Sequence, residues 1–207
     1  SEWLVYNVSV DAATTIGHTV DFLLDISGNM GFQTSLPFQQ RIGLTLEDFE
    51  TGDFNLFSWG FNGSRNWVIE DNNPWEGEFG ARSGSISHES QSVMILDVDV
   101  IEAGDLSFYR RVSCQDDAND NSDYLSFHID GIEQARWDSI LGWEMVSFPL
   151  NTGYHRLEWK YTKDGSISEG LDAAFVDYIS FPGSIDINPH LAFSHNEIDK
   201  AMKPGEQ

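Results

Sequence analysis

Basic side chains are scarce in this chain: its 207 residues include 11 Lys and Arg against 34 Asp and Glu, for a formal net charge of -23 at pH 7. A surface with this charge repels DNA, RNA and anionic lipid, which excludes nucleic acid as a partner. Long apolar runs are also missing, since none approaches the roughly 18 residues that cross a bilayer. We therefore expect no membrane insertion.

Cysteine occurs once, as Cys114, so no internal disulfide and no cysteine metal cluster can form. We expect this thiol to be a small apolar side chain on a strand. A single cysteine fits the cytosol, and it also fits secreted bacterial proteins that lack disulfides, so it leaves the compartment open.

Catalytic motifs are absent as well. The six histidines show no HExxH spacing, and the chain has neither GxSxG nor a glycine-rich phosphate loop. A pair of carboxylates, or Cys114 with a histidine, can be proposed, but no spacing supports either pair. We expect no enzymatic activity from this chain, whatever catalytic domain a longer parent chain carries.

Helical periodicity is hard to find, whereas short alternating segments bounded by Gly, Asn, Asp and Pro recur throughout the chain. The chain is therefore predicted to be all-β, with enough strands after residue 45 for an antiparallel two-sheet sandwich. At one turn, Asp130-Gly131 is the residue pair that a tight type I′ hairpin prefers. The predicted strands after residue 45 are Trp67–Glu70, Gly80–His88, Ser92–Val100, Leu106–Cys114, Tyr124–Asp130, Glu133–Asp138, Trp143–Leu150, His155–Thr162 and Ala173–Phe181.

The two ends of the chain differ from its middle. Before residue 46 there are three strand-like stretches, which are too few to close a core: Trp3–Val10, Thr19–Ile26 and Phe32–Gln40. After Pro182-Gly183 comes one strand-like stretch, Leu191–His195, followed by polar residues. The simplest interpretation is a fragment of a longer chain. Its predicted parts are the end of a preceding β unit at 1–45, a complete sandwich at 46–183, and a linker with the start of a following β unit at 184–207.

Several stretches of the middle part resemble a jelly-roll module that occurs in large secreted and surface proteins of bacteria, among them gingipain-type peptidases and adhesins. The module is similar in outline to MAM and carbohydrate-binding jelly rolls. The stretches are EDFETGDF at 47–54, SGSIS at 83–87, LSFYRRVS at 106–113, DYLSFHIDG at 123–131, GYHRLEWKYTKD at 153–164 and LDAAFVDYISFP at 171–182. The resemblance implies a jelly roll over roughly 47–182, immunoglobulin-like flanks, and an extracellular or cell-surface location in a bacterium.

The same resemblance implies a function. It favours a non-catalytic module that binds a glycan or a protein surface, among neighbouring domains of one multidomain chain. The alternative is a structural spacer within a secreted peptidase or adhesin. Exposed aromatic side chains in one plane would favour binding, whereas fully buried tryptophans would favour the spacer.

Asp177 has an unusual position in the stretch LDAAFVDYISF. Strict alternation places it on one face with Phe175, Ile179 and Phe181. A carboxylate in apolar surroundings is normally paired, hydrogen-bonded or bound to a cation. Backbone or Arg hydrogen bonds are one explanation of Asp177, and a cation is the other.

Calcium is the cation that the resemblance implies. In related carbohydrate-binding jelly rolls, a structural calcium ion lies between acidic residues of the first strand and an aspartate of the last strand. The matching positions here are Asp48, Glu50, Asp53 and Asp177. Calcium takes six to eight oxygen ligands, which carboxylates supply, so these four residues are the predicted structural calcium site.

The candidate ligand-binding residues are three tryptophans and one arginine. Trp59, Trp75 and Trp137 fall near strand ends or loops, and aromatic faces stack on sugar rings. Trp75 is the best candidate for exposure because Asn-Asn-Pro before it predicts a turn. Arg110 breaks the apolar pattern of its strand, at a position where the related modules more often have an aromatic residue.

Overall fold

The computed structural model describes residues 19–27, 33–41, 45–115, 123–182 and 185–186, which form fourteen strands and, within those ranges, no helix. All-β structure is therefore confirmed. Two predicted stretches, Trp3–Val10 and Leu191–His195, lie outside the described residues. The strands are β1 Thr19–Ser27, β2 Gln33–Arg41, β3 Thr45–Glu47, β4 Gly60–Gly63, β5 Val68–Glu70, β6 Gly80–Arg82, β7 Gln91–Val100, β8 Gly104–Ser113, β9 Tyr124–Ile129, β10 Ile132–Trp137, β11 Ile140–Leu150, β12 Gly153–Thr162, β13 Ala173–Phe181 and β14 Ile185–Asp186.

Twelve of these strands form two six-stranded antiparallel sheets. Sheet I has the order β10-β9-β12-β7-β14, and β4 also pairs with β7. Sheet II has the order β11-β8-β13-β6-β5, and β3 also pairs with β13. Successive strands cross repeatedly from one sheet to the other, as β7, β8 and β9 do. The predicted two-sheet sandwich is confirmed.

Large aromatic side chains from both sheets fill the space between them. Phe108 of sheet II meets Phe127 and Trp159 of sheet I with ring centroids 5.0 and 5.5 Å apart. On β12, Leu157, Trp159 and Tyr161 are buried, and the residues between them are only partly buried, as their alternation predicts. The sandwich core therefore follows directly from the two-residue period of the strands.

The hairpin between β9 and β10 has the predicted turn. Asp130 and Gly131 both adopt positive φ, 54° and 78°, which a type I′ turn requires at its two central residues. Ile129 and Ile132 pair across the turn.

Several element boundaries differ from prediction. The first two strands of the sandwich, β3 and β4, have only three and four residues and no visible alternation, which is why no strand was predicted there. Conversely, β6 ends at Arg82, although the prediction extended it to His88. Ser83, directly after the strand, still donates its backbone N–H to the Ala174 carbonyl at 2.8 Å.

The ends of the described chain are placed as follows. β1 and β2 pair with each other in register from Thr19↔Arg41 to Ser27↔Gln33, and neither joins sheet I or sheet II. At the other end, β14 pairs with β7 of sheet I, so two residues of the predicted linker belong to the sandwich sheet. The division into three units stays a prediction. No helix in the described part of the chain is long and apolar enough to cross a membrane.

Strict alternation gives the wrong face for Asp177. β13 pairs with β8 from Ala173↔Ser113 to Asp177↔Tyr109, but its register then shifts before Ser180. Tyr178 lies at this shift with a positive φ of 50°. The extra residue reverses the alternation, so Ile179 belongs to the core whereas Asp177 does not. Asp177 lies on the outer face of sheet II with Phe175.

Candidate binding surface

A segment of the chain, residues 71–79, covers Asp177 on the outer face of sheet II; we call it the anchored segment. Asp177 is fully buried, and its Oδ2 accepts hydrogen bonds from the backbone N–H groups of Trp75 at 2.8 Å and Glu76 at 3.4 Å. Its Oδ1 accepts the Tyr178 N–H at 2.7 Å. Gly80 provides space for the carboxyl group, since a Cβ there would lie 3.3 Å from Oδ2. One carboxylate thus fixes the middle of the anchored segment.

A second carboxylate fixes its end. Glu50 accepts the backbone N–H groups of Glu78 and Phe79, each at 3.0 Å. Gly77 has a φ of +65°, and a Cβ at this position would lie 2.2 Å from the nearer Glu50 oxygen. A side chain at Gly77 would therefore displace the Glu50 carboxylate, and the left-handed backbone conformation itself favours glycine.

The anchored segment presents Trp75 at the surface. The indole stacks on Tyr109 of β8, with ring centroids 3.9 Å apart and planes inclined by 12°. Trp75 nevertheless remains 44% exposed. Because Tyr109 covers one side of the indole and the backbone is anchored, the ring is an immobilised plane available to a ligand.

Further side chains of sheet II extend this surface. Trp143 of β11 donates its Nε1–H to the Asn73 carbonyl at 3.0 Å. The Arg111 guanidinium lies 3.8 Å from the centre of the Phe175 ring and 5.3 Å from that of Trp143. Beside these groups lie four further residues of the same surface, Glu70, Asn72, Asn73 and Pro74. Aromatic faces, amides and the guanidinium groups of Arg111 and Arg82 therefore meet on a single side of the sandwich.

The other predicted ligand-binding residues lie elsewhere. Trp59 packs among Phe49, Phe57 and Trp159 and donates its Nε1–H to Glu47 at 3.0 Å. It contributes to the core and not to the surface around Trp75.

Trp137 and Arg110 also face inward. Arg110 is 4% exposed, lies 5.4 Å above the Trp137 ring, and forms an ion pair with Glu144 at the rim of the sandwich. Its Nη1 donates to the Gly142 carbonyl at 3.2 Å. The charge that interrupts the apolar pattern of β8 is thus paired with Glu144, whose side chain is 66% exposed, and it is not part of the Trp75 surface.

Sequence reasoning missed Tyr109 and Arg111. The buried residues of β8 are Phe108, Arg110 and Val112, and Tyr109 and Arg111 alternate with them. The two-residue period of a strand was therefore enough to predict that Tyr109 and Arg111 point outward. Their proximity to Trp75 and Trp143 was not readable, because it depends on the pairing of β8 with β11 and β13.

The structure does not bring the four predicted calcium ligands together. Asp48 accepts the Glu50 N–H, and Asp53 accepts the N–H of Asn55, so both close local turns. Glu50 and Asp177 bond different parts of the anchored segment. Among the described residues, no three His, Cys, Asp or Glu side chains form a group that fits a metal ion. Calcium binding stays a prediction, without support from this geometry.

Two buried carboxyl groups have unusual acidity. Burial raises the pKa of Asp177 to about 7, although its three backbone donors oppose the rise. Burial likewise raises the pKa of Glu47 to about 7, against hydrogen bonds from the Trp59 indole and the Phe49 N–H. Glu47 belongs to β3, so both groups lie in sheet II. Each is partly protonated near neutral pH.

Cys114 is an inert thiol. It is fully buried, its Sγ–H donates to the Asp123 carbonyl at 3.0 Å, and burial raises its pKa to about 12. A thiol with this pKa carries almost no thiolate at neutral pH, which is the form that nucleophilic catalysis needs.

Comparison with known proteins gives structural neighbours only. No family model and no curated protein matches the sequence. The secreted serine protease VesC from Vibrio cholerae has a TM-score of 0.50 and 12% identity, over 80% of this chain and 44% of that one. The fold is a jelly-roll sandwich. This chain spans less than half the length of the Vibrio protease.

Two other neighbours have lower scores. They are the K1 cleaved adhesin domain of Lys-gingipain from Porphyromonas gingivalis (TM-score 0.49, 15% identity, 70% of this chain and 99% of that one) and a family 22 xylan-binding domain from Paenibacillus barcinonensis (0.44, 14%, 70% and 94%). At these identities each likeness concerns the fold alone.

Proposed function

We propose that this chain is a non-catalytic binding module that holds a glycan on the outer face of sheet II, with Trp75 as the stacking platform. The observation that supports this proposal most directly is the stacking of Trp75 on Tyr109, which holds the indole in place while Trp75 remains 44% exposed. A rigid aromatic plane binds the apolar face of a sugar ring without losing conformational entropy.

The polar groups around Trp75 support a sugar as the ligand. Asn72 and Asn73 are exposed, and the Arg111 side chain lies behind them, with its Nη2 3.4 Å from the Asn72 carbonyl. Amide and guanidinium groups donate hydrogen bonds, which the hydroxyl oxygens of a sugar can accept. Because the chain carries a formal charge of -23, we expect a neutral glycan and not an acidic one.

The absence of catalytic motifs from the sequence and the inert Cys114 support a binding module over an enzyme. We also propose an extracellular or cell-surface location within a larger bacterial protein, which rests on the sequence resemblance described above. The structural spacer remains the competing function, and the binding experiment decides between them.

The test is a screen of immobilised neutral glycans, followed by calorimetric titration of each hit. We expect Trp75→Ala to weaken binding by about tenfold or more, since removal of a central aromatic anchor typically costs about 2 kcal/mol. Tyr154→Ala is the matched control, because Tyr154 is 62% exposed but lies on β12 of sheet I.

Three outcomes are distinguishable. Loss of affinity in Trp75→Ala with unchanged affinity in Tyr154→Ala supports the proposed surface. Equal affinity of wild type and Trp75→Ala would show that the glycan binds elsewhere. Binding to no glycan, by a protein that melts cooperatively, would favour the spacer.

A further inference from the structure

A group of ionisable side chains lies where β12 ends and where β9 and β13 begin. Lys163 follows β12 directly, Asp172 precedes β13, and Asp123 precedes β9. The Lys163 and Asp123 side chains are 1% and 0% exposed. A lysine is almost never fully buried unless it is paired, so its partners are informative.

Lys163 has two carboxyl partners. Its Nζ contacts both carboxyl oxygens of Asp172 and donates to Ser168 Oγ at 2.7 Å. Tyr161 donates its hydroxyl to Asp172 Oδ1 at 3.2 Å. A nitrogen that touches both oxygens of one carboxyl group lies directly beside its Cγ atom. The amine and the carboxyl carbon are therefore neighbours, with the Lys163 side chain 1% and the Asp172 side chain 29% exposed.

Asp123 is placed beside them. Its Oδ1 accepts the Asp164 N–H at 2.9 Å, while its Oδ2 lies 3.5 Å from Lys163 Nζ and has no hydrogen-bond partner. A fully buried carboxyl oxygen that has an ion pair but no hydrogen bond is unusual, because buried polar atoms are nearly always hydrogen-bonded. Burial raises the pKa of Asp123, which favours its protonated form.

We propose that Lys163 and Asp172 form an intramolecular isopeptide bond, with Asp123 as the proton shuttle. The neutral Lys163 amine attacks Cγ of Asp172 after its extra proton has passed to the carboxyl pair, and a C–N bond forms. Asp123 takes one proton from the attacking nitrogen and delivers one to the departing Asp172 oxygen, which leaves as water when the C–O bond breaks. The net change is one ammonium and one carboxylate converted to one amide and one water, with no oxidant or cofactor.

The bond would shorten the covalent connection between the two sheets. β12 belongs to sheet I and β13 to sheet II, and the chain joins them through residues 163–172. An amide between the two ends of this connection would bypass the residues between them. Tyr161 and Ser168 act as positioning residues that orient the Asp172 carboxyl group and the amine.

The test is the intact mass of the denatured full chain. We expect wild type to be lighter than its sequence by one water molecule, about 18 Da, and Lys163→Arg and Asp123→Asn to have the full sequence mass. Asn at position 123 keeps an oxygen for the Asp164 N–H but transfers no proton, so this variant tests the shuttle without emptying the site. Asp172→Asn should lose ammonia instead of water, about 17 Da, because the same attack expels an amide nitrogen.

Tryptic mapping locates the change. Trypsin should not cleave after Lys163 in wild type, whereas it should cleave there in Asp123→Asn. Succinimides at Asp130-Gly131 or Asp164-Gly165 also remove water, but they would persist in Lys163→Arg and leave Lys163 cleavable. A full wild-type mass, or a loss of water that persists in Lys163→Arg, would overturn the proposal and leave a buried ion pair. An Asp123→Asn protein that still loses water would overturn the role of Asp123.

Discussion

Replacing Asp177 by alanine is expected to lower the free energy of unfolding by about 3 kcal/mol, because it leaves backbone N–H groups without an acceptor. The backbone N–H groups of Trp75 and Tyr178 approach the carboxyl group to 2.8 and 2.7 Å, and both hydrogen bonds are partly buried. A buried donor that loses its partner costs about 1–3 kcal/mol. Chemical unfolding in urea measures this change directly.

Two variants serve as references for Asp177→Ala. Asp177→Asn keeps one acceptor oxygen, so we expect a smaller loss than with alanine. Asp105 is an exposed carboxylate on β8, and Asp105→Ala should change stability by no more than about 0.5 kcal/mol. If Asp177→Ala is as stable as Asp105→Ala, the backbone of the anchored segment does not depend on this carboxylate.

Thermal unfolding of wild type and Asp177→Asn, with calcium and with chelator, tests the calcium prediction. If only hydrogen bonds hold Asp177, wild type melts at the same temperature in calcium and in chelator. A calcium-dependent rise that Asp177→Asn abolishes would instead establish a site closed by this residue, since a ligand that binds only the folded state stabilises it.

The second large expected effect concerns pH: we expect the folded protein to be more stable at pH 5 than at pH 8. The pKa values of Glu47 and Asp177 are raised from 4.5 and 3.8 in their ordinary state to about 7 in the folded chain. The folded state therefore binds protons more tightly than the unfolded state between about pH 4 and pH 7. The stability from this linkage is fully present below the ordinary pKa values of 4.5 and 3.8, and it is lost as the pH rises through the folded-state value of about 7.

The size of the pH effect follows from the shifts. One pKa unit corresponds to about 1.4 kcal/mol, so each carboxyl group contributes on the order of 3 kcal/mol between its two states. Mutual repulsion among the other carboxylates acts in the same direction at high pH. Below about pH 4 the trend reverses, because Asp97 and Glu133, whose pKa values are lowered first by hydrogen bonds from Arg156 and Arg136, lose their ion pairs.

Urea unfolding at several pH values between 5 and 8 measures the slope. Glu47→Gln is the matched variant, because glutamine keeps an acceptor for the Trp59 indole but does not titrate. We expect this variant to have a flatter slope, so that it loses less stability than wild type between pH 5 and pH 8. A wild type that gains stability from pH 5 to pH 8 would show that both carboxyl groups remain ionised in the folded state.

The sequence by itself determined the class of fold and several local features. Alternation on β12 separated the buried Leu157, Trp159 and Tyr161 from the outer face, and Asp130-Gly131 located a hairpin. Trp75 was assigned to a turn by the Asn-Asn-Pro before it. These features depend on neighbouring residues alone, because turn chemistry and the two-residue period are local properties of the backbone.

Only the tertiary structure decided which residues form the candidate surface. The register shift at Tyr178 moved Asp177 to the outer face, and alternation cannot reveal an inserted residue. Trp59 and Trp75 are both tryptophans near loops, yet Trp59 packs against Trp159 in the core. Trp75 instead stacks on Tyr109 at the surface. Pairing between strands far apart in the chain made that choice, since burial depends on which surfaces meet and not on the residues adjacent in sequence.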